Sequence, residues 1–296
     1  MVLLALSGCI DRLTLSVEDG GLVIPCTVSP APEDITTLRV GPSGEVFGLG
    51  LDAGLYRWER SGEEDCSLDG EMIYDPQSLE GVTDFDLTDE GDIIALVHLG
   101  QIWRFSNDGT LVYSCDVTGG HGVAAAPDGT LAWLIPVGAQ ELSVVQLNDA
   151  DCVQLDPVAT SAPLSTMPVS DGTTLAVGTH NSGGDLPSGV LIDVSTGETV
   201  LDLANTEEPA EGRWMSSMSD IAFAPDGGWW VTGSPDGDLW GIEPDGSTRV
   251  RVHSDLTFSV PDESTVSVWT LGVGVGGPSY VAGGFSVRNQ VWSLRL

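Results

Sequence analysis

A short turn recurs along the chain: Gly41-Pro42-Ser43-Gly44, Ala126-Pro127-Asp128-Gly129, Val169-Ser170-Asp171-Gly172 and Ala224-Pro225-Asp226-Gly227. Asp89-Glu90-Gly91 and Gly274-Val275-Gly276-Gly277 are degraded copies. Each copy follows one short apolar run and precedes another, the pattern of two strands joined by a tight turn. Repetition of this kind constrains the fold more than any other feature. A single unit cannot bury its apolar face alone, so successive units must stack on one another.

The turn glycines Gly44, Gly91, Gly129, Gly172, Gly227 and Gly277 lie 38 to 55 residues apart. That interval suits four short strands with loops of variable length. The best-formed copy runs from Ser219 through Ala224-Pro225-Asp226-Gly227 to Gly237-Asp238-Leu239-Trp240-Gly241, with a fourth strand over Thr248 to His253. Aromatic third strands recur at Tyr56-Arg57-Trp58, Ile102-Trp103-Arg104-Phe105 and Val291-Trp292. Their rings should pack between neighbouring units. The reading is an all-β, six-bladed β-propeller of four-stranded antiparallel blades. Seven blades is the alternative, if the long interval from Gly172 to Gly227 hides a degenerate unit. The last unit stops after three strands. Leu22-Val23-Ile24-Pro25-Cys26-Thr27-Val28 matches the outer strand Leu111 to Val117, so an N-terminal strand is expected to close the ring.

Formal net charge is −34, and all ten basic residues are arginine. A field of this sign repels nucleic acid and anionic lipid surfaces. Without lysine, Schiff-base chemistry and a lysine phosphate clamp are excluded. No apolar run reaches the roughly 18 residues needed to span a bilayer. The bland account of the charge is a solvated acidic surface; the sharper one is recognition of a cationic partner.

Leu6-Ser7-Gly8-Cys9 resembles the lipobox of bacterial lipoproteins: an apolar residue, two small residues and the cysteine that takes the lipid. The resemblance implies a signal remnant over residues 1–9, a lipidated Cys9 and a single domain over 10–296. It also implies the bacterial cell envelope, with the protein facing the periplasm or exterior and touching the membrane through its anchor only. The segment before Cys9 carries no basic residue, which departs from a signal peptide's charged start. The competing reading is a buried N-terminal strand ending in an ordinary cysteine. The other cysteines, Cys26, Cys66, Cys115 and Cys152, form an even set. In an oxidising compartment they allow two disulfides in three pairings. Chain order favours Cys26–Cys66 and Cys115–Cys152, although outer strands of neighbouring blades splay apart and loops would have to bring the partners together.

The Asp-Gly and Pro-Asp-Gly turns resemble those of bacterial propellers with NHL-type or gluconolactonase/regucalcin-like repeats, over roughly residues 20–296 as a fold pattern. Gluconolactonase-like enzymes hold a divalent cation through a Glu in the first strand, an Asn opening an inner strand and an Asp after the second strand of that unit. Here Leu38-Arg39-Val40-Gly41-Pro42, Asp220 and Gly233-Ser234 stand at those places. The expected ligands are largely replaced, so no cofactor is expected beyond an optional divalent cation. There is no G-x-S-x-G elbow either.

In a propeller the connections between blades and the turns between second and third strands share one face, the top. His98, His121 and His180 fall there, as do Trp214 and Met215. Three imidazoles with a nearby carboxylate are suitable metal ligands, but they come from separate blades, so solvated turn histidines are the simpler account. Asp84 and Asp220 occupy equivalent positions early in inner strands. There a carboxylate can accept backbone N–H bonds from the next blade, or help to hold a channel ion. The reading overall is a non-catalytic propeller that binds a protein or small molecule through Trp214, Met215, His121, His180, Asp84 and Asp220. A metal-dependent hydrolase of gluconolactonase type is the alternative.

Overall fold

The computed structural model describes residues 13–17, 22–32, 35–61, 66–75, 81–97, 100–136, 138–148, 150–161, 164, 168–178, 189–202, 217–224, 228–234, 239–243, 247–256, 267–274, 278–284 and 290–295. Two strands, β1 (Leu13–Val17) and β2 (Leu22–Ser29), precede the repeats. Then come β3 (Ile35–Val40), β4 (Val46–Gly50), β5 (Leu55–Ser61) and β6 (Cys66–Tyr74), followed by β7 (Val82–Leu87), β8 (Ile93–Val97), β9 (Gln101–Phe105) and β10 (Leu111–Asp116). The next run is β11 (Gly122–Ala125), β12 (Leu131–Ile135), β13 (Glu141–Leu147) and β14 (Cys152–Gln154), with β15 (Val158–Ala159) also on β13. After these come β16 (Val169–Ser170), β17 (Thr174–Gly178), β18 (Gly189–Asp193) and β19 (Thr199–Asp202). The chain ends with β20 (Ser217–Phe223), β21 (Trp229–Ser234), β22 (Leu239–Ile242), β23 (Thr248–Leu256), β24 (Ser267–Gly272), β25 (Ser279–Gly284) and β26 (Gln290–Arg295).

Consecutive strands within each run pair antiparallel. The innermost strands β3, β7, β11, β16, β20 and β24 contact one another in turn, and β24 returns to β3. They therefore surround a central channel, in a propeller-like arrangement of small sheets. The apolar clusters lie between neighbouring sheets. Leu134 and Val145 of one sheet meet Ile94 and Leu96 of the next, and Trp240 and Val231 meet Leu191 and Ala176. Trp58 and Trp240 are buried. Burying an indole contributes about 4 to 6 kcal/mol at the usual value per unit of apolar area, so these third-strand aromatics are packing residues.

The recurrent turn has a simple stereochemical cause. Gly44, Gly91, Gly129 and Gly172 have φ of 91°, 83°, 69° and 90°. In three of them the glycine N–H closes on the carbonyl three residues back: Gly44 on Gly41 at 3.0 Å, Gly91 on Thr88 at 2.9 Å and Gly129 on Ala126 at 2.8 Å. The three-residue loops over 42–44 and 89–91 end in this left-handed conformation, and the loop over 127–130, one residue longer, has it at its third position; a Cβ there is strained. The preceding Asp128 carboxylate accepts from the Thr130 N–H at 3.0 Å and fixes the exit.

β2 pairs antiparallel with β26, from Leu22 opposite Arg295 to Cys26 opposite Val291. It also pairs parallel with β6, from Cys26 beside Cys66 to Ser29 beside Asp69. Among the described residues the strands thus form five hydrogen-bonded sheets, one of which runs β24-β25-β26-β2-β6-β5-β4-β3. The separate, splayed sheets expected from the repeat are fused at this seam, because β2 offers both of its edges. A disulfide joins Cys26 to Cys66 with the Cα atoms 4.4 Å apart, so here the strands themselves bring the sulfurs together. A second joins Cys115 on β10 to Cys152 on β14, with Cα atoms 6.0 Å apart. Both link the outer strands of neighbouring runs. The fifth cysteine, Cys9, lies outside the described residues.

Candidate functional site

Irregular register decides what faces the channel. Each of β3, β7, β20 and β24 slips by one residue near its start, before Thr37, Asp84, Asp220 and Thr270. A bulge re-aims the side chains that follow it. Two residues further on stand Arg39, Asp86, Ala222 and Gly272. The period of two puts each later residue on the same strand face as its partner.

The result is a buried charged cluster contributed by β3, β7 and β20. Arg39 Nη1 donates to Asp220 Oδ2 at 3.3 Å and to the Leu38 carbonyl at 2.8 Å. Its Nε lies 3.6 Å from Asp86 Oδ1. The carboxylates also tie the inner strands sideways. Asp84 Oδ2 accepts the Val123 N–H and Asp86 Oδ2 the Ala125 N–H, each at 2.9 Å. Asp220 Oδ2 accepts the Leu271 N–H at 3.0 Å, and its Oδ1 accepts the Ile221 N–H at 2.9 Å. The equivalence of Asp84 and Asp220 thus has a structural meaning: each carboxylate satisfies a backbone donor of the next inner strand. Gly272 serves the same seam. A Cβ there would stand 3.1 Å from the Arg39 carbonyl carbon, so glycine lets β24 lie close against β3.

Burial pushes the Asp84 carboxyl up to about 7, against the opposing pull of Arg39 and the Val123 N–H. Burial likewise pushes Asp86 up to about 6, again opposed first by Arg39. For Arg39, burial works against the charge, but Asp220, Asp86 and Asp84 outweigh it and raise the guanidinium above its ordinary value. The guanidinium supplies the positive charge that an ion between these carboxylates would otherwise supply. Asp84, Asp86 and Asp220 thus form one Arg–Asp cluster with Arg39. Among the described residues no group of three His, Cys, Asp or Glu side chains is placed to hold a metal.

Next to this cluster, a cavity of about 460 Å³ opens at the ends of the inner strands. It is lined by Arg39 and Asp86, by Pro42, Thr88 and Asp89 of the first turns, and by Val169, Phe223 and Leu271. This is the turn face, which repetition alone makes look featureless. His121 is exposed at the opposite end, just before β11, and its N–H donates to the Ile135 carbonyl at 2.8 Å. Two residues on, the Val123 N–H donates to Asp84. His98, His180, Trp214 and Met215 lie outside the described residues. Arg39 and Asp86 are the site residues that sequence reasoning missed. The available signals were a lone arginine in the apolar run Leu38-Arg39-Val40, and Asp84-Phe85-Asp86, whose period of two places both carboxylates on one face.

Fold and channel together define the chain as a β-propeller. No family model and no curated protein matches the sequence. Solved structures resemble it across nearly its full length. The PQQ domain of pyranose dehydrogenase from Coprinopsis cinerea aligns with a TM-score of 0.64 at 9% identity, covering 96% of this chain and 98% of that one. A streptogramin B lyase aligns at 0.57 and 11%, covering 93% and 98%. The WD40 propeller domain of Doa1 aligns at 0.56 and 13%, covering 95% and 97%. Such low identities establish the fold alone.

Proposed function

We propose that the chain is a non-catalytic binding propeller of the bacterial cell envelope, with six blades, tethered by a lipid on Cys9. The blade count is supported by the cycle of inner-strand contacts from β3 through β24 and back to β3. β2 then serves as the outer strand of the last blade. The observation that carries the compartment is the pair of disulfides, each stapling the outer strands of neighbouring blades. Structural disulfides persist in oxidising surroundings.

A binding role rather than a catalytic one is supported by the channel. Its carboxylates are committed to backbone N–H groups and to Arg39. Asp220, which stands where a gluconolactonase-type ligand would fall, already accepts from Arg39, Leu271 and Ile221. Propellers of similar shape include a chain of the mitotic checkpoint complex, aligned with a TM-score of 0.55 at 10% identity, which is consistent with a protein partner. The longer loops around Trp214 and Met215 would supply apolar anchors within an acidic surround, a combination that favours a cationic partner.

Pull-down from envelope extract tests the binding face. Trp214→Ala should lose the partner while keeping the melting temperature. Trp229→Ala, at a buried position in β21, should lose the fold instead. Normal capture by Trp214→Ala would refute this choice of surface. Cys9→Ala, expressed behind a complete signal sequence, should move from the membrane to the soluble envelope fraction; identical fractionation would refute the anchor.

A further inference from the structure

We infer that the loop face of the propeller, opposite the recurrent turns, is the surface held against a lipid bilayer. A partner of that face must then itself stand at the membrane. The presence of the bilayer rests on the lipidated Cys9 proposed above; the direction of approach rests on the register of β1. That strand is an extra fifth member on the outer edge of the sheet formed by β20 to β23.

The pairing fixes where the chain enters. Phe223 stands opposite Trp229 and Ile242 opposite Thr248, so these pairs mark the turn face of that sheet. β23 runs from Thr248, away from the turns, to Leu256. β1 lies antiparallel to it, with Leu13 opposite Leu256 and Val17 opposite Val252. β1 therefore begins at the loop face and runs toward the turns, and whatever precedes Leu13 leaves from the loop face.

Reach decides between the two faces. Cys9 stands four residue steps before Leu13, a tether of about 14 Å at full extension. The eight steps of β23 from Leu256 back to Thr248 span roughly 27 Å. The tether is therefore about half the length that an approach by the turn face requires. At a net charge of −34 anionic headgroups repel the chain, so the tether and not lipid attraction sets the approach. The cavity beside Arg39 and Asp86 then opens away from the membrane.

Chemical coupling tests this geometry apart from lipidation. Cys9 is the one cysteine outside both disulfides, so in the full chain its thiol can be joined to a maleimide phospholipid in phosphatidylcholine vesicles. Azidophenylalanine carries a fluorophore at one exposed position per protein: Leu51 or His121 at the loop face, Ser43 or Glu90 at the turn face. Rhodamine headgroups in the bilayer quench it. A five-residue strand separates the faces by about 17 Å, so the loop-face labels should be quenched at least about twofold more than the turn-face labels. Inserting about 20 Gly/Ser residues between Asp11 and Arg12 lengthens the tether by roughly 25 Å and should erase the difference. Equal quenching at the two faces with the native tether, or stronger quenching at Ser43 and Glu90, would overturn the inference. So would a difference that survives the insertion, because the tether would then not be what orients the protein. Fractionation of Cys9→Ala bears on lipidation alone: if that variant fractionates like wild type while the coupled protein orients, the anchor falls and the direction of entry stands.

Discussion

Asp84→Asn should stabilise the protein, and the gain should depend on pH. In the folded chain the Asp84 carboxyl is pushed up to about 7 by burial, whereas an unfolded aspartate titrates near 3.9. The folded state therefore holds a proton that the unfolded state releases between roughly pH 4 and 7. Stability associated with this group is fully present below about pH 4 and is lost as pH rises through about 7. A difference of about three pKa units is worth about 4 kcal/mol at most. Asparagine mimics the protonated acid and keeps the oxygen that accepts the Val123 N–H. At pH 8 the variant should thus recover up to about 4 kcal/mol, or about 6 °C in melting temperature for a chain of this size. At pH 4 the two proteins should melt together. Differential scanning calorimetry from pH 4 to 8 measures this directly. A constant difference across that range, or a less stable variant at pH 8, would refute the reading that burial dominates over the attraction of Arg39.

Arg39→Met removes the counter-charge of three buried carboxylates. It should cost roughly 3 to 5 kcal/mol at pH 8, and much of that should return below about pH 5, as circular dichroism melts at both pH values would show. A Cys26→Ser/Cys66→Ser double variant should lose roughly 2 to 4 kcal/mol in urea unfolding, because the bridge closes a loop across 40 residues. An unchanged midpoint would mean that the β2–β6 pairing holds the seam without the bond. Deleting residues 10–28 removes the strand that covers β26 and should cause aggregation visible by light scattering. A monomeric deletion variant with unchanged melting would argue against closure by the N-terminal segment.

Much of this architecture was legible in the residues. Gly44, Gly91, Gly129 and Gly172 mark turns that need a left-handed residue, and that requirement is local, so it survives in the sequence as a repeat. The likeness of Leu22–Val28 to an outer strand pointed to its place beside β26, since an incomplete last unit leaves an edge to be covered. Asp84 and Asp220 stood out as equivalents for the same reason. Tertiary structure alone decided what those aspartates do. Arg39 meets Asp220 across 181 positions of sequence, and no local pattern encodes that approach. The slips before Thr37, Asp84 and Asp220 set which side chains enter the channel. A one-residue shift in register exchanges the two faces of a strand, and whether a bulge forms depends on how neighbouring inner strands pack. The cavity at the turn face has the same origin. Its walls come from strand ends far apart in the chain, and only closure of the ring brings Val169, Phe223 and Leu271 around Arg39 and Asp86.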